Sequence, residues 1–351
     1  MNKLSDFDYV LPKELIAQYP AKSRDSSRML VLDRKTGKIT HKKFSDFPDY
    51  IKKEDILVLN DTKVMNVRLV GRRLTGGRTE IFLTEKIESR IFKALLKPSS
   101  RIRERDEVIF DDSKLKARIL AKKEANNVVE FIYPGGNIDK EVARIGCVPL
   151  PPYVKRSAEP LDAERYQTVY AKEAGATAAP TAGLHFTEKM LDGLAGKGAI
   201  IAYLTLHVNY GTFAPVKTSD VAKHKMHSEE FKLEKREADK INKVKEAGGR
   251  VVAVGTTSVR VLETCAVKKE YGVQGTEYRV EARSGKTDIF IYPPYEFKMV
   301  DTLLTNFHFP KSTLLMLASA FAGRELILNA YKEAIRERYR FFSYGDCMLI
   351  L

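Results

Sequence analysis

Three histidines lie in short polar loops, where segments typical of strands end or helices begin. His185 lies in the loop AAPTAGLHFT, His207 follows the strand-like run AYLTL, and His308 precedes Pro310 and a long apolar run. Ligands in open α/β sheets bind beyond the carboxyl ends of the strands, so these positions favour one shared site. Histidine titrates near neutral pH and often transfers protons in enzymes. One such histidine is more often structural, but three together predict acid–base chemistry, and the sequence does not rank them.

The segment VVAVGTTSVRVLE predicts an anion site. Its apolar strand ends at Gly255, and Thr256 and Thr257 then begin a helix that carries Arg260 one turn on. Free amides and hydroxyls at a helix N-terminus bind carboxylates and phosphates, and the arginine would add a positive charge. Simple N-capping with a surface arginine is the alternative that stays open.

A second helix start lies in TNFHFPKSTLLML. Asn306 precedes this start, and Ser312 is placed to cap the apolar helix that follows. Both side chains would therefore be fixed at a helix N-terminus, and we expect them to contact the ligand.

The sequence contains no glycine-rich phosphate loop and no recognisable cluster of metal ligands. Its one G-x-G, Gly196 with Gly198, follows a helix and precedes a strand, which is the reverse of the order that binds a pyrophosphate. The three cysteines are far apart and form no C-x-x-C pair. His224 and His227 are three residues apart but have no third ligand at a familiar spacing. We therefore expect a site without metal.

Alternating strand and helix signals predict an α/β sheet that positions these loops. Apolar runs predict strands at residues 29–33, 56–60, 199–206 and 250–255. The consecutive apolar residues of the first two indicate strands that are covered on both faces. Expected helices are a short one from Pro12 to Ile16, one capped by Thr187, and those at 235–247, 314–322 and 324–338, followed by a last strand at 347–351.

Residues 64–133 have a different pattern, because six short alternating segments are separated by glycine, serine, aspartate and asparagine. Such spacing predicts a small barrel or sandwich. The proline-rich stretch 148–160 is expected to lead the chain back to the sheet. The predicted fold class is α/β: a mixed-sheet domain of residues 1–61 and 155–351, which carries most of the active site, with an inserted small antiparallel β-barrel domain at 62–154.

The composition favours a folded protein with a polyanionic partner. Among 351 residues, 60 Lys and Arg stand against 46 Asp and Glu, which gives a net charge of +14. Nucleic acid is the first expectation, although dispersed positive charge also occurs in proteins that bind no RNA. The longest apolar run, 313–322, is too short to span a bilayer, and Asp6 and Asp8 interrupt any secretory leader. We expect a cytoplasmic protein that does not bind membranes.

Many long motifs resemble one family, the S-adenosylmethionine:tRNA ribosyltransferase-isomerases of queuosine biosynthesis. They extend from end to end of the chain and include LPKELIAQYP, RDSSRMLVLDR, LVLNDTKVMNVRLVG, VPLPPYV, AAPTAGLHFT, LHVNYGTFAPV, HKMHSEEF, VGTTSVRVLE, TNFHFPKSTLLMLASAFAG and YRFFSYGD. The resemblance implies an α/β domain with an inserted small β-barrel, in agreement with the change of pattern near Val64.

The resemblance also implies a reaction. Family members use S-adenosylmethionine as a ribosyl donor and move the ribosyl group to the 7-aminomethyl-7-deazaguanine wobble base of tRNA. Epoxyqueuosine forms, and adenine and methionine are released. The implied partners are tRNAs with a GUN anticodon, of the aspartate, asparagine, histidine and tyrosine types, and we expect a monomer.

Residue roles follow from the same resemblance. We expect His185, His207 or His308 to take a proton from the ribose carbon beside the sulfonium, and Asp61 to stabilise the charged donor or the aminomethyl group. Asn306 is expected to contact the leaving adenine. The full set of expected substrate-binding residues is Arg28, Asn60, Thr62, Lys63, Thr181, Gly183, Thr256, Thr257, Arg260, Asn306 and Ser312.

Two other functions stay open at this point. A non-catalytic RNA-binding protein would explain the charge but not the several polar loops at helix starts. An ordinary methyltransferase would release S-adenosylhomocysteine instead of adenine, and the glycine loop expected of it is missing.

Overall fold

The computed structural model describes residues 2–111, 113–123, 127–209, 211, 216, 218–269 and 278–351. Its strands are β1 (Arg28–Leu32), β2 (Ile39–Lys43), β3 (Ile56–Asn60), β4 (Thr62–Val64), β5 (Arg68–Arg73), β6 (Arg78–Lys86), β7 (Ile91–Lys97), β8 (Glu107–Ile109), β9 (Lys116–Ala121), β10 (Asn127–Ile132), β11 (Glu173–Ala176), β12 (Ile200–Leu206), β13 (Glu229–Leu233), β14 (Val251–Val254), β15 (Ala266–Lys268), β16 (Tyr278–Val280), β17 (Arg283–Thr287), β18 (Thr302–Asn306) and β19 (Cys347–Ile350). Its α-helices are α1 (Ile138–Ile145), α2 (Pro160–Arg165), α3 (Glu188–Gly196), α4 (Lys235–Glu246), α5 (Thr256–Cys265), α6 (Thr313–Ala322) and α7 (Arg324–Arg336).

A nine-stranded mixed sheet forms the centre of the molecule, in the order β17-β13-β12-β3-β14-β18-β19-β1-β2. Every residue of β3, β14 and β18 is buried, because apolar clusters cover both faces of the sheet. For β3 this confirms the expectation from its consecutive apolar residues, whereas β18 was not among the predicted strands. A short 3-10 turn at Lys13–Leu15 occupies the place of the first expected helix.

Four neighbouring strands of this sheet, β12, β3, β14 and β18, are parallel, so their carboxyl ends lie along one edge. β19 runs antiparallel to β18 and pairs Cys347 with Asn306, so β19 begins at the same edge. β1 is parallel to β19 and begins there as well. Loops from six strands therefore meet at this carboxyl edge.

Six strands, in the order β10-β7-β6-β5-β8-β9, close into an antiparallel barrel with its own apolar core. The six segments expected from the sequence all form strands of this barrel. α1 follows the barrel and was not predicted; Asn137 caps it by accepting a hydrogen bond from the Lys140 amide. β4 pairs with β11 outside the barrel. The division of the chain into domains at residues 62 and 154 stays a prediction.

No single helix in the described part of the chain is long and apolar enough to cross a membrane. α6 and α7 pass the length and composition test together, but they meet at a bend of 114°.

Candidate active site at the carboxyl edge of the sheet

A cavity of about 380 Å³ opens at the carboxyl edge, between the loops that follow β14 and β18 and the 3-10 turn at Thr181–His185. Residues from six separate parts of the sequence line it, among them Tyr153, Lys155, Thr181, Thr256, Thr257, Asn306, His308, Phe309, Ser312 and Phe342. Six of the predicted site residues are in this set: Thr181, Thr256, Thr257, Asn306, His308 and Ser312.

His308 is the one of the three predicted histidines that lines the cavity. Its ring Nε2 lies 2.7 Å from the Thr305 hydroxyl, and the Tyr331 hydroxyl accepts the backbone N–H of His308 at 2.9 Å. The Thr305 hydroxyl also lies 3.4 Å from the Asn306 carbonyl, to which it can donate while it accepts from Nε2–H. This arrangement favours a proton on Nε2, which leaves Nδ1 as the basic nitrogen. Burial lowers the pKa of His308 to about 3, so the ring is neutral at neutral pH.

His185 lies behind Asn306 and holds its side chain. Asn306 Nδ2 donates to His185 Nε2 at 3.3 Å and to the Phe342 carbonyl at 3.1 Å, while His185 Nδ1 bonds the Ser27 hydroxyl at 3.0 Å. These acceptors fix the orientation of the amide. If the amide group were rotated by a half-turn, its oxygen would face the Phe342 carbonyl oxygen. Burial, together with the charges of Arg24 and Arg340, lowers the pKa of His185 to about 3. His185 is therefore a neutral acceptor for Asn306.

Two buried polar atoms at the cavity have no hydrogen-bond partner among the residues that the structure describes. They are Asn306 Oδ1 and Thr257 Oγ1. A buried polar group without a partner costs about 1–3 kcal/mol, so each is suited to a polar group of a ligand. Asn306 Oδ1 requires a donor, whereas Thr257 can donate or accept.

The start of α5 has the strand-to-helix turn that the sequence predicts, and anion binding there stays a prediction. Gly255 has a φ of 87°, which reverses the chain after β14 so that Thr256 begins the helix. The carbonyl of Gly255 accepts from the amides of Ser258 and Val259, whereas the amides of Thr256 and Thr257 have no acceptor within the described ranges. Their free N–H groups and the Thr257 hydroxyl offer donors to an anion.

Arg260 lies on the same helix but does not line the cavity. Its guanidinium forms an ion pair with Glu229 on β13, and both residues are buried. The pairing removes the free charge on which the sequence argument for an anion contact depends. A contact between Arg260 and the substrate stays a prediction.

Ser312 caps α6 as expected, because its hydroxyl accepts the amide of Leu315 at 3.2 Å and donates to the Phe309 carbonyl at 2.7 Å. Gly183 is buried beside the cavity, and a Cβ at this position would lie 2.1 Å from the Tyr170 hydroxyl. Its place in the 3-10 turn therefore depends on the missing side chain, and this turn carries Thr181 into the cavity wall.

Asp61 and His207 belong to a second group of polar residues, at the ends of β3 and β12. The Thr205 hydroxyl donates to Asp61 Oδ1 at 2.7 Å, and the Thr62 hydroxyl lies 2.8 Å from His207 Nδ1. His207, Thr205 and Glu173 line a separate pocket of about 310 Å³. Burial raises the pKa of Asp61, although the hydrogen bond from Thr205 opposes the shift.

Three further predicted residues lie away from the cavity. Asn60 joins β3 to β12 through hydrogen bonds with the backbone of Leu206. Arg28 donates to the Glu337 carbonyl and stacks on Tyr339. Lys63 is exposed at the edge of a third pocket, beside the barrel. Their roles in substrate binding stay predictions.

Sequence reasoning missed several residues that shape the cavity. Thr305 and Ser27 hold the two buried histidines, and Phe309 stacks on Phe342 with 3.8 Å between the ring centres. Tyr153 lines the wall and bonds the Ser343 hydroxyl. Signals for them were present, since Ser27, Tyr153 and Phe342 all lie in the motifs RDSSR, VPLPPYV and YRFFSYGD.

No group of three or more histidine, cysteine, aspartate or glutamate side chains suited to a metal ion occurs among the described residues.

Comparisons with known proteins agree along the whole chain. A family model described as queuosine biosynthesis protein matches residues 4–350. An S-adenosylmethionine:tRNA ribosyltransferase-isomerase of Acetivibrio thermocellus is 53% identical over 351 residues, which is 99% of each chain. The crystal structure of the S-adenosylmethionine tRNA ribosyltransferase of Thermotoga maritima is 38% identical, covers 99% of this chain and 100% of its own, and superposes with a TM-score of 0.54.

These matches confirm the resemblance seen in the motifs and the predicted fold class. The cavity at the carboxyl edge, its neutral histidine and the end-to-end similarity lead to one conclusion: the chain belongs to the queuosine biosynthesis protein family.

Proposed function

We propose that the protein transfers the ribosyl group of S-adenosylmethionine to the 7-aminomethyl-7-deazaguanine wobble base of tRNA and isomerises it to epoxyqueuosine, with release of adenine and methionine. At the coarser level, the protein is a tRNA-modifying transferase of queuosine biosynthesis. The substrates of the proposal are tRNAs with a GUN anticodon, and the enzyme acts as a cytoplasmic monomer. The observation that carries the proposal is the cavity in which a neutral histidine, an oriented amide and a helix N-terminus meet.

The chemistry begins at the carbon beside the sulfonium, whose positive charge acidifies the attached hydrogen. His308 is our candidate for the base, because its ring lines the cavity and burial keeps the ring neutral, so that it can accept a proton. The same burial makes the imidazolium costly. The proton is therefore passed on soon after it is taken, and the departing adenine is its acceptor.

Asn306 and the α5 N-terminus bind opposite ends of the donor. Asn306 Oδ1 accepts from the exocyclic amine of adenine, which satisfies the buried oxygen. The amides of Thr256 and Thr257, with the Thr257 hydroxyl, bind the methionyl carboxylate at the positive end of the helix dipole. Neither contact requires Arg260.

The group of polar residues around Asp61 and His207 serves the acceptor base in this proposal. Glu173 lines the pocket beside the ends of β3 and β12, and Asp61 is close enough for the Glu173 charge to raise its pKa. Carboxylates there stabilise the aminomethyl group of the base in its charged form. Asp61→Asn should then raise the KM for tRNA that carries this base and leave the binding of S-adenosylmethionine unchanged.

The experiment that tests the function is an assay of adenine release. The purified protein is incubated with S-adenosylmethionine and tRNA that carries the aminomethyl-deazaguanine base, and products are separated by chromatography. The proposal requires adenine in amounts equal to the modified tRNA. Release of S-adenosylhomocysteine would identify a methyltransferase, and tight tRNA binding without any product would identify a non-catalytic RNA-binding protein.

A further inference from the structure

The barrel carries a disproportionate share of the positive charge. Residues 62–154 hold 19 Lys and Arg against 12 Asp and Glu, a surplus of seven, which is half of the net charge of +14 in about a quarter of the chain. The barrel core is apolar and separate from the core of the sheet, so this charge lies on its outside.

Much of the charge is gathered at one end of the barrel. The chain enters and leaves through the other end, since β5 begins there and β10 leads from there into α1. At the end away from the sheet lie the loops β5–β6 and β7–β8, together with Lys122 and Lys123, which follow β9. Contacts between backbone and side chains join them: Lys122 Nζ donates to the Ser99 and Ile102 carbonyls, both at 2.6 Å, and the Arg105 amide donates to the Ile119 carbonyl at 2.8 Å.

Six cations on these loops and adjoining strand ends form what we call the distal basic surface: Arg78, Lys97, Arg101, Arg103, Arg105 and Lys123. All six are exposed, and none has an ion pair within the described parts of the chain. Among the nearby carboxylates, Glu104 accepts the amide of Lys122, Asp106 accepts the amide of Arg103, and Glu80 lies opposite Lys97 without an ion pair.

Two local features of this surface are unfavourable for folding alone. Arg78 on β6 lies directly opposite Arg72 on β5, and like charges in such cross-strand pairs are destabilising. Arg105 has a φ of 68°, a conformation that favours glycine and asparagine. Charges placed against local preference are typical of a functional surface.

We propose that the distal basic surface binds the phosphate backbone of tRNA while the wobble base occupies the active site. The inference rests on the proposed function, which supplies a polyanionic substrate. Barrel strands of six residues are about 20 Å long, at about 3.3 Å per residue, and the surface lies at the end of the barrel away from the sheet, where it can contact the stem that adjoins the anticodon loop. Exposed arginines and lysines bind phosphates without reading sequence, so the contacts set the position of the RNA.

The test compares two triple variants with the same change of charge. Arg78→Glu/Arg103→Glu/Lys123→Glu reverses the distal basic surface. Lys53→Glu/Lys197→Glu/Lys243→Glu reverses three exposed lysines around the opposite, amino edge of the sheet. The affinity for a tRNA transcript is measured over a series of salt concentrations. We expect the first variant to bind at least ~10-fold more weakly, with a salt slope shallower by about 2–3 units, and the second to bind like wild type. Equal effects of the two variants, or none, would overturn the inference.

Two controls separate a loss of phosphate contacts from a loss of folding and from a failure of the proposed function. The melting temperature of the first variant should be unchanged or higher than that of wild type. Arg78→Glu replaces the like-charge pair with Arg72 by an opposite-charge pair. Turnover is also measured on an anticodon-loop oligonucleotide without the stem, and both variants should match wild type on it. If wild type forms no product with either substrate, the proposed function fails. If wild type is active and the first variant loses turnover equally on both substrates, the surface does not act through the stem.

Discussion

At the scale of single residues, the site is defined by polar atoms that the fold buries without satisfying. Asn306 Oδ1 and Thr257 Oγ1 have no partner in the described structure, while the Asn306 amide nitrogen is held by His185 and the Phe342 carbonyl. Burial of this kind costs stability, so it is retained where a ligand restores the bonds. We propose that the donor substrate makes its polar contacts at these two atoms.

Replacement of His308 tests the proposed base. We expect His308→Ala to lower kcat by ~10²-fold or more, because general-base catalysis contributes about that much, with a small change in the KM for S-adenosylmethionine. His207→Ala is the matched control at the neighbouring pocket and should lower kcat by a smaller factor. Adenine release measures both. Equal and mild losses in His185→Ala, His207→Ala and His308→Ala would remove the assignment.

Replacement of Asn306 tests the adenine contact. Asn306→Ala should raise the KM for S-adenosylmethionine by about 10-fold, the equivalent of one hydrogen bond of ~1.4 kcal/mol. With a donor analogue that has purine in place of adenine, wild type and variant should have the same KM, since the exocyclic amine is missing. A variant effect of the same size on both donors would contradict the contact.

The two buried histidines predict a pH dependence of stability. Their folded pKa values are about 3, whereas the ordinary value is 6.5. Below pH 6.5 the unfolded chain therefore binds protons that the folded protein does not, and the free energy of unfolding falls as the pH falls toward 3. Each histidine contributes up to ~1.4 kcal/mol per pH unit.

Urea unfolding of wild type and His308→Gln between pH 6.5 and 4.5 measures this contribution. The variant should lose stability less steeply, because glutamine takes up no proton. If the free energies of unfolding of wild type and variant fell equally steeply with pH, the neutral, buried state of His308 would be contradicted.

At the scale of elements, the site depends on how strands end and helices begin. Gly255 joins β14 to α5 at a φ of 87°, and a Cβ at this position would meet no atom closer than 3.4 Å. Gly255→Ala should therefore act through backbone strain and not through a clash, lowering the free energy of unfolding by ~1–2 kcal/mol.

A shift of the α5 start should also raise the KM for S-adenosylmethionine in Gly255→Ala. The matched control is Gly193→Ala in α3, where a Cβ would have no neighbour within 4 Å and φ is not positive. That change should leave stability the same or raise it by about 0.4–1 kcal/mol. Chemical denaturation and steady-state kinetics measure both variants, and equal behaviour would contradict the role of Gly255.

The sequence predicted most elements because their apolar runs are long and their ends carry clear signals. β3 begins and ends where the run ILVLN does, and the Thr187 cap accepts the Met190 amide as expected. α1 was not predicted because it is short and has a narrow apolar face. Five of its eight residues have charged or small side chains, and Ile138 and Val142 form the apolar face. Its cap, Asn137, was the readable signal.

At the scale of the whole molecule, the sequence could name the loops of the site but not their order in space. Strand ends predicted which segments gather at the carboxyl edge, since parallel strands bring those ends together. Which histidine faces the cavity depends on side-chain directions that no spacing encodes. Arg260 on α5 illustrates the limit, because its partner Glu229 lies 31 residues earlier, on β13.

One measurement tests the central claim most directly, namely that this protein removes the sugar from a sulfonium donor and passes it to a tRNA base. S-adenosylmethionine labelled in the ribose is incubated with the protein and tRNA that carries the aminomethyl-deazaguanine base, and the tRNA is digested and analysed by mass spectrometry. We predict that the label appears in the wobble nucleoside with wild type and is lost at least ~10²-fold with His308→Ala. Unlabelled tRNA with wild type, or a label that appears as fast with the variant, would contradict the account.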